Sequence, residues 1–188
     1  MEKGEIKLVV IGGSAGSLEV LLKILPALNL GFSIPVVIVL HRKNTSDSVL
    51  AELLQSKIAL PVHEVEEKEK IEAGTVYIAP ADYHLLFEED GTFSLDYSEK
   101  VHYSRPGIDV SFESAAGVYG SSLLAILLSG ASSDGADGFG IVMEKGGVTI
   151  AQDPDTAEVS YMPAAAIAKH NVSYVLNVEE ITAFLNAL

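Results

Sequence analysis

The chain contains no cysteine. Disulfide cross-links, thiolate nucleophiles and cysteine-ligated metals are therefore excluded at the outset. Basic residues are scarce: 12 Lys and Arg stand against 26 Asp and Glu, a formal net charge of −14. A field of that sign repels phosphate backbones and is not drawn to an anionic bilayer, so nucleic acid and membrane surfaces are poor partners. No apolar run approaches the roughly 18 residues that span a membrane, and no membrane insertion is expected. The opening residues, Met1-Glu2-Lys3-Gly4-Glu5, carry two acids and lead straight into an apolar segment, unlike a secretory signal. Cytoplasm is the default location for such a chain. Internal repeats and low-complexity linkers are also missing. What is present is 188 residues, 48% hydrophobic and 20% charged. That is the make-up of one globular domain spanning 1–188.

Apolar runs alternate with helical patterns along the whole chain. Strands are predicted at Lys7–Ile11, Pro35–Leu40, Pro61–Val65, Thr75–Ile78, Leu123–Leu128, Val148–Ala151 and Tyr174–Leu176. Several are continuously apolar, as parallel strands buried on both faces should be. Helices are predicted at Leu18–Ala27, Asp47–Gln55, Asp109–Val118, Gly138–Glu144, Pro163–Lys169 and Glu179–Leu188. Pro163 suits a first helical turn. Asn177 with Glu180 spells a capping box, and Gly146-Gly147 a helix stop. One stretch breaks the alternation. His84–Glu88 and Thr92–Leu95 flank Glu89-Asp90-Gly91, which predicts a β-hairpin at a sheet edge. The expected fold class is α/β: a three-layer α/β/α domain with a mostly parallel sheet and an edge β-hairpin.

In an open α/β sheet, ligands bind beyond the carboxyl ends of the strands. Ser14 follows the first strand in Gly12-Gly13-Ser14-Ala15-Gly16, a serine between glycines at a strand-to-helix turn that fits G-x-S-x-G. His41 follows the second strand directly. Asp134 follows the Leu123–Leu128 strand within Ser129-Gly130-Ala131-Ser132-Ser133-Asp134-Gly135. A hydroxyl, an imidazole and a carboxylate on one rim are the inventory of an acyl-transfer triad. Plainer roles also exist: Ser14 as a helix cap, His41 as a loop residue, Asp134 as a turn residue. The order Ser, His, Asp differs from that of the α/β-hydrolases. A dinucleotide fingerprint fails in both registers, because Ser14 or Ala15 stands where G-x-G-x-x-G requires its second glycine. No cofactor or metal is expected; His63, in a strand, and His102, near an acid, have no partner pattern suggesting a metal.

Taken together these segments resemble the catalytic domain of the CheB family of chemotaxis protein-glutamate methylesterases. The likeness runs from about Lys7 to Leu188. It rests on Val10-Ile11-Gly12-Gly13-Ser14-Ala15-Gly16, Val39-Leu40-His41 and Tyr77-Ile78-Ala79-Pro80-Ala81-Asp82-Tyr83-His84. It continues through Arg105-Pro106-Gly107-Ile108-Asp109-Val110, Leu128-Ser129-Gly130 with Ser133-Asp134-Gly135, Ala151-Gln152-Asp153 and Met162-Pro163. The resemblance implies a Ser14–His41–Asp134 triad, demethylation of glutamate methyl esters on the cytoplasmic helices of methyl-accepting chemoreceptors, and deamidation of glutamines there. Backbone N–H groups around Ser14, Ala15 and Gly16, with that of Ala131, are the candidate oxyanion donors. Arg105 either binds a substrate carboxylate or pairs with an acid of this acid-rich chain, and the resemblance favours the cleft.

The chain also departs from the family pattern. Ala15, Gly16 and Ser17 stand where the family usually has threonine and two glycines, and Ser132 stands where it has glycine. The family normally adds an N-terminal receiver domain. This chain starts at the catalytic strand, as an excised domain or a single-domain relative would. Two other functions stay open on the sequence: a non-catalytic signalling or adaptor module on the same fold, and a small-molecule esterase. Arg42, Lys43 and Arg105 are the basic residues available to dock an acidic helix. Asp82 and His84 fit a structural turn near the cleft, His170 a helix C-terminus, and Glu64–Lys70 a solvated loop.

Overall fold

The computed structural model describes residues 5–41 and 48–188. Seven strands form one sheet: β1 (Leu8–Gly13), β2 (Val36–Leu40), β3 (Val62–Glu64), β4 (Val76–Ile78), β7 (Leu123–Leu127), β8 (Val148–Gln152) and β9 (Tyr174–Leu176). Their order is β3-β4-β2-β1-β7-β8-β9, and every neighbouring pair is parallel. The chain winds outward from β1 to β2, then returns to lay β7 on the other side of β1. Strand direction of growth reverses there, and such a switch point opens a crevice at the carboxyl ends of the strands.

The alternation inside β1 divides the core in two. Leu8 and Val10 join one apolar cluster, Val9 and Ile11 the other. The first cluster takes Phe112 from α3 (Ile108–Tyr119), Phe139 from α4 (Ala136–Glu144), and Met162 and Ala166 from α5 (Tyr161–Lys169). The second takes Val20, Leu21 and Ile24 from α1 (Ser17–Ile24), Leu54 from α2 (Ser48–Gln55), and Ile181 and Leu185 from α6 (Val178–Asn186). The result is the expected three-layer α/β/α arrangement.

The hairpin is present, formed by β5 (His84–Phe87) and β6 (Phe93–Asp96). Its expected place at a sheet edge needs correction: it is a separate two-stranded sheet. Phe87 and Phe93 enter the α3-side cluster, and the α3 hydroxyls Ser111 and Ser114 bond the backbone of Leu85 and Phe87. The hairpin is thus fastened to helix α3, with Phe87 and Phe93 buried in the cluster on that side. Asp90 Oδ1 accepts the Thr92 N–H, and Gly91 takes the left-handed φ of 79° that closes the turn.

The caps behave as the sequence predicts at two helices. Asn177 and Glu180 form a reciprocal capping box on α6, and Gly146 at φ 83° ends the turn after α4. Helix α5 begins at Tyr161, two residues before Pro163, which keeps that proline within the first turn. The predicted first helix runs out as a 3-10 turn over Leu25–Ala27 around Pro26.

Phe112 is fully buried and packs against Phe139, with ring centroids 5.4 Å apart. Phe112→Ala should lower the unfolding free energy by about 3–5 kcal/mol in urea titrations. A loss below about 1 kcal/mol would show that this half of the core is not the packed layer described.

Candidate active site

Three strand ends bring the predicted residues to one rim. In the β1–β2 register Gly13 lies opposite Leu40, and the His41 N–H donates to the Gly13 carbonyl at 3.1 Å. Ser14 and His41 therefore leave adjacent strands at the same level. On the other side of β1, Leu128 N–H reaches Gly12 and Ser14 N–H reaches Ser129 O at 2.9 Å. This fixes the start of the loop that carries Asp134.

The serine turn is shaped by close approach. A Cβ on Gly12 would stand 2.4 Å from Ile108 Cγ2, so only glycine lets the α3 N-terminus come this near the sheet. Gly16 adopts φ 81° as the N-cap of α1. The Ser17 hydroxyl donates to Ser14 O, and the Ser129 hydroxyl donates to Ala15 O at 2.7 Å while accepting the Val159 N–H at 2.9 Å. Ser17 and Ser129 are fully buried clamps on the turn. The sequence reading missed both as positioning residues; the only available signal was a serine on each side of the glycine motifs.

His41 Nε2 lies 2.6 Å from Asp134 Oδ2. The Asp134 carboxylate also accepts the Ile108 N–H at 2.7 Å and the Asp109 N–H at 2.9 Å, the first two amides of α3. It is completely buried. Burial alone would raise its pKa, but the bonds from His41, Asp109 and Ile108 outweigh that and hold it below the ordinary carboxylate range. An ionised carboxylate only accepts, so His41 Nε2 carries the proton and Nδ1 is left as the free acceptor. The Ser132 hydroxyl oxygen accepts the Asp134 N–H at 3.3 Å.

A second carboxyl sits behind the first. Asp109, in the first turn of α3, accepts the Gly138 N–H of α4 at 2.7 Å, and its Oδ2 lies 3.2 Å from His102 Nε2. The two acids thus cross-brace two helices: Asp134, just ahead of α4, caps α3, and Asp109 of α3 caps α4. His102, Asp109 and Asp134 bring ligand-type atoms within 4.8 Å of one another. The hydrogen bonds and ion pair just given already engage those oxygens. Burial chiefly, with the nearby charge of Asp134, pushes the Asp109 pKa up to about 6.

The candidate oxyanion donors divide. The Ser14 N–H is spent on Ser129 O, which removes it as a donor to an oxyanion. The amides of Ala15, Gly16 and Ala131 have no partner among the described residues. Arg105 is occupied by the wall beside the hairpin. Its guanidinium carbon stacks 3.8 Å above the Tyr97 ring, Nη1 donates to Ser98 O at 2.6 Å, and Nη2 lies 3.9 Å from Asp82. His84 is buried, with Nδ1 accepting the Gly107 N–H at 2.9 Å and Nε2 on Glu99 O, so it holds the approach to α3. Arg42 and Lys43 lie outside the described residues.

The likeness to known proteins puts this chain in the class of carboxylic ester hydrolases. A family model described as CheB methylesterase matches residues 9–185. A relative from Leptospira interrogans is 47% identical over 173 residues, covering 92% of this chain and 90% of that protein. The protein-glutamate methylesterase/protein-glutamine glutaminase of Thermotoga maritima is 39% identical over 173 residues, which is 90% of this chain and 50% of that protein. The crystal structure of the Thermotoga maritima CheB methylesterase catalytic domain matches with a TM-score of 0.92 at 37% identity, covering 97% of this chain and 98% of that one. The chain belongs to the CheB methylesterase family.

The raised pKa of Asp109 has a defined sign in stability. The folded state binds this proton more tightly than the unfolded state, so the contribution of Asp109 falls as pH rises from its ordinary value of 3.8 to about 6. Asp109→Asn removes that loss. Thermal unfolding at pH 4, 5, 6 and 7 should show the variant gaining on wild type across this window. Parallel curves would contradict the assignment.

Proposed function

We propose that this protein hydrolyses glutamate methyl esters on the cytoplasmic helices of methyl-accepting chemoreceptors, and deamidates glutamines there, through Ser14, His41 and Asp134. The observation that carries the reading is the 2.6 Å bond to a buried, ionised carboxylate from the imidazole of His41, a residue that leaves β2 level with Ser14 at the end of β1. Family membership and the names of the relatives support the ester and amide substrates. In this reading the enzyme works in the cytoplasm, where such helices lie. No helix among the described residues is long and apolar enough to cross a membrane.

The chemistry follows from the tautomer. His41 Nδ1 takes the proton of Ser14 as Oγ attacks the ester carbonyl. Asp134 stabilises the imidazolium through Nε2–H. The amides of Ala15, Gly16 and Ala131 are the donors this reading assigns to the developing oxyanion, each such donor being worth about 2.7–4 kcal/mol. His41 then returns the proton to the leaving oxygen, the carbon–oxygen bond breaks, and methanol departs. Water attacks the acyl-serine, giving its proton to His41, and collapse restores Ser14 and frees the glutamate carboxylate. With glutamine the leaving group is ammonia. No cofactor enters these steps. Arg105 contributes through the cleft wall that it stiffens, and its positive charge suits a product carboxylate.

Ser14→Ala and His41→Ala should each lower kcat by at least about 10³-fold on a methylated receptor fragment, followed by methanol release, with folding unchanged. Asp134→Asn should cost about 10²–10⁴-fold. Ser14→Ala with wild-type turnover would remove the mechanism. A generic activated ester that is hydrolysed well while receptor fragments are untouched would favour a small-molecule esterase. Failure on both substrates would favour the adaptor role.

A further inference from the structure

Asp109 takes no part in the mechanism above, yet it is one of few buried acids, and it lies directly behind the carboxylate that holds His41. Its outer oxygen meets His102, whose side chain is 38% exposed. Side chains therefore form a continuous line from solvent to the rim: His102, Asp109, Asp134, His41. The turn that delivers His102 is strained. His102 and Tyr103 both adopt left-handed backbone angles, φ 49° and 62°, in a tight turn closed by reciprocal bonds between Val101 and Ser104. Two consecutive non-glycine residues in that region cost on the order of 1–3 kcal/mol each. The aromatic neighbour recovers none of this, because Tyr103 is 97% exposed. What the turn does achieve is to lay an imidazole against Asp109.

Resting on the triad reading, we propose that His102 and Asp109 form a second imidazole–carboxylate couple behind the first, in which Asp109 is a positioning residue whose charge, balanced by His102, sets the basicity of His41. An uncompensated negative charge on Asp109 favours the imidazolium of His41, while a protonated His102 cancels that push. The raised pKa of Asp109, to about 6, puts its own proton exchange in the range where histidines titrate. The charged groups facing Asp109 are Asp134 from the loop after β7, Asp137 from the first turn of α4 and His102 from the strained turn. Asp137 is itself paired with Lys169 of α5. This leaves Asp134 and His102 as the partners whose charge Asp109 answers to.

The test is the titration midpoint of the His41 imidazole by NMR in the free protein, with the five histidines assigned by single replacements. Asp109→Asn removes a negative charge and should lower the midpoint by about 0.5–1 pH unit. His102→Gln removes the imidazole that meets Asp109 Oδ2, leaving the Asp109 charge uncompensated, and should raise it. In the double variant the His102→Gln effect should vanish. The acid limb of kcat/KM should move in step with the midpoint. A purely structural role for Asp109 predicts altered stability with the midpoint fixed. Unmoved midpoints, or shifts of the same sign in both single variants, overturn the proposal and leave the triad standing if Ser14→Ala is inactive. Full turnover in Ser14→Ala overturns the triad reading and this proposal with it.

Discussion

Burying a carboxylate without partners costs several kcal/mol, and a lone buried acid escapes that cost by taking up a proton. Asp134 is fully buried and stays ionised because three donors converge on it: two backbone amides at the start of α3 and the imidazole of His41. The rest of the site follows from that constraint. The α3 N-terminus must approach the sheet closely enough to donate, which is why glycine occupies position 12 against Ile108. The loop after β7 must hold its own path, which it does through Ser129, Gln152 and Val159. Because Oδ2 is committed to Nε2, the nitrogen of His41 left as an acceptor is Nδ1.

The cross-bracing of α3 and α4 extends this idea. Each helix presents its first amides to a carboxylate supplied by the other's neighbourhood, so neither N-terminus depends on a conventional cap side chain; Gly107 and Gly135 occupy the cap positions and make no side-chain bond. Two acids within 4.8 Å of shared ligand geometry would repel one another if both were bare. Raising the pKa of Asp109 while depressing that of Asp134 resolves the conflict. Separation of neighbouring pKa values in this way is a common route by which similar groups acquire different tasks.

The strands were legible because their chemistry is blunt. Val36–Leu40 and Leu123–Leu127 are unbroken apolar runs, and a parallel strand covered on both faces requires that. Ser14, His41 and Asp134 could be picked out because each directly follows or closely trails such a run, and the family resemblance named the same three. The clamps Ser17 and Ser129 could not, since a serine beside glycine has many uses and only contacts reveal which one applies. The hairpin's partner was misjudged for a related reason. The Asp-Gly turn between His84–Glu88 and Thr92–Leu95 marks a hairpin but says nothing of whether a sheet or a helix receives Phe87. The second couple was invisible in sequence, since His102 reaches Asp109 only through a turn at His-Tyr, which carries none of the Gly, Asn or Asp that dominate such turns.

The claim on which everything turns is the tautomer of one imidazole. Nitrogen-15 NMR of the resting protein near neutral pH, with His41 assigned by replacement, reads it directly. The account predicts a protonated Nε2 with its proton shifted far downfield by Asp134, and an unprotonated Nδ1. A protonated Nδ1 with a bare Nε2 would contradict it, because Nε2 would then have no proton to give the ionised Asp134.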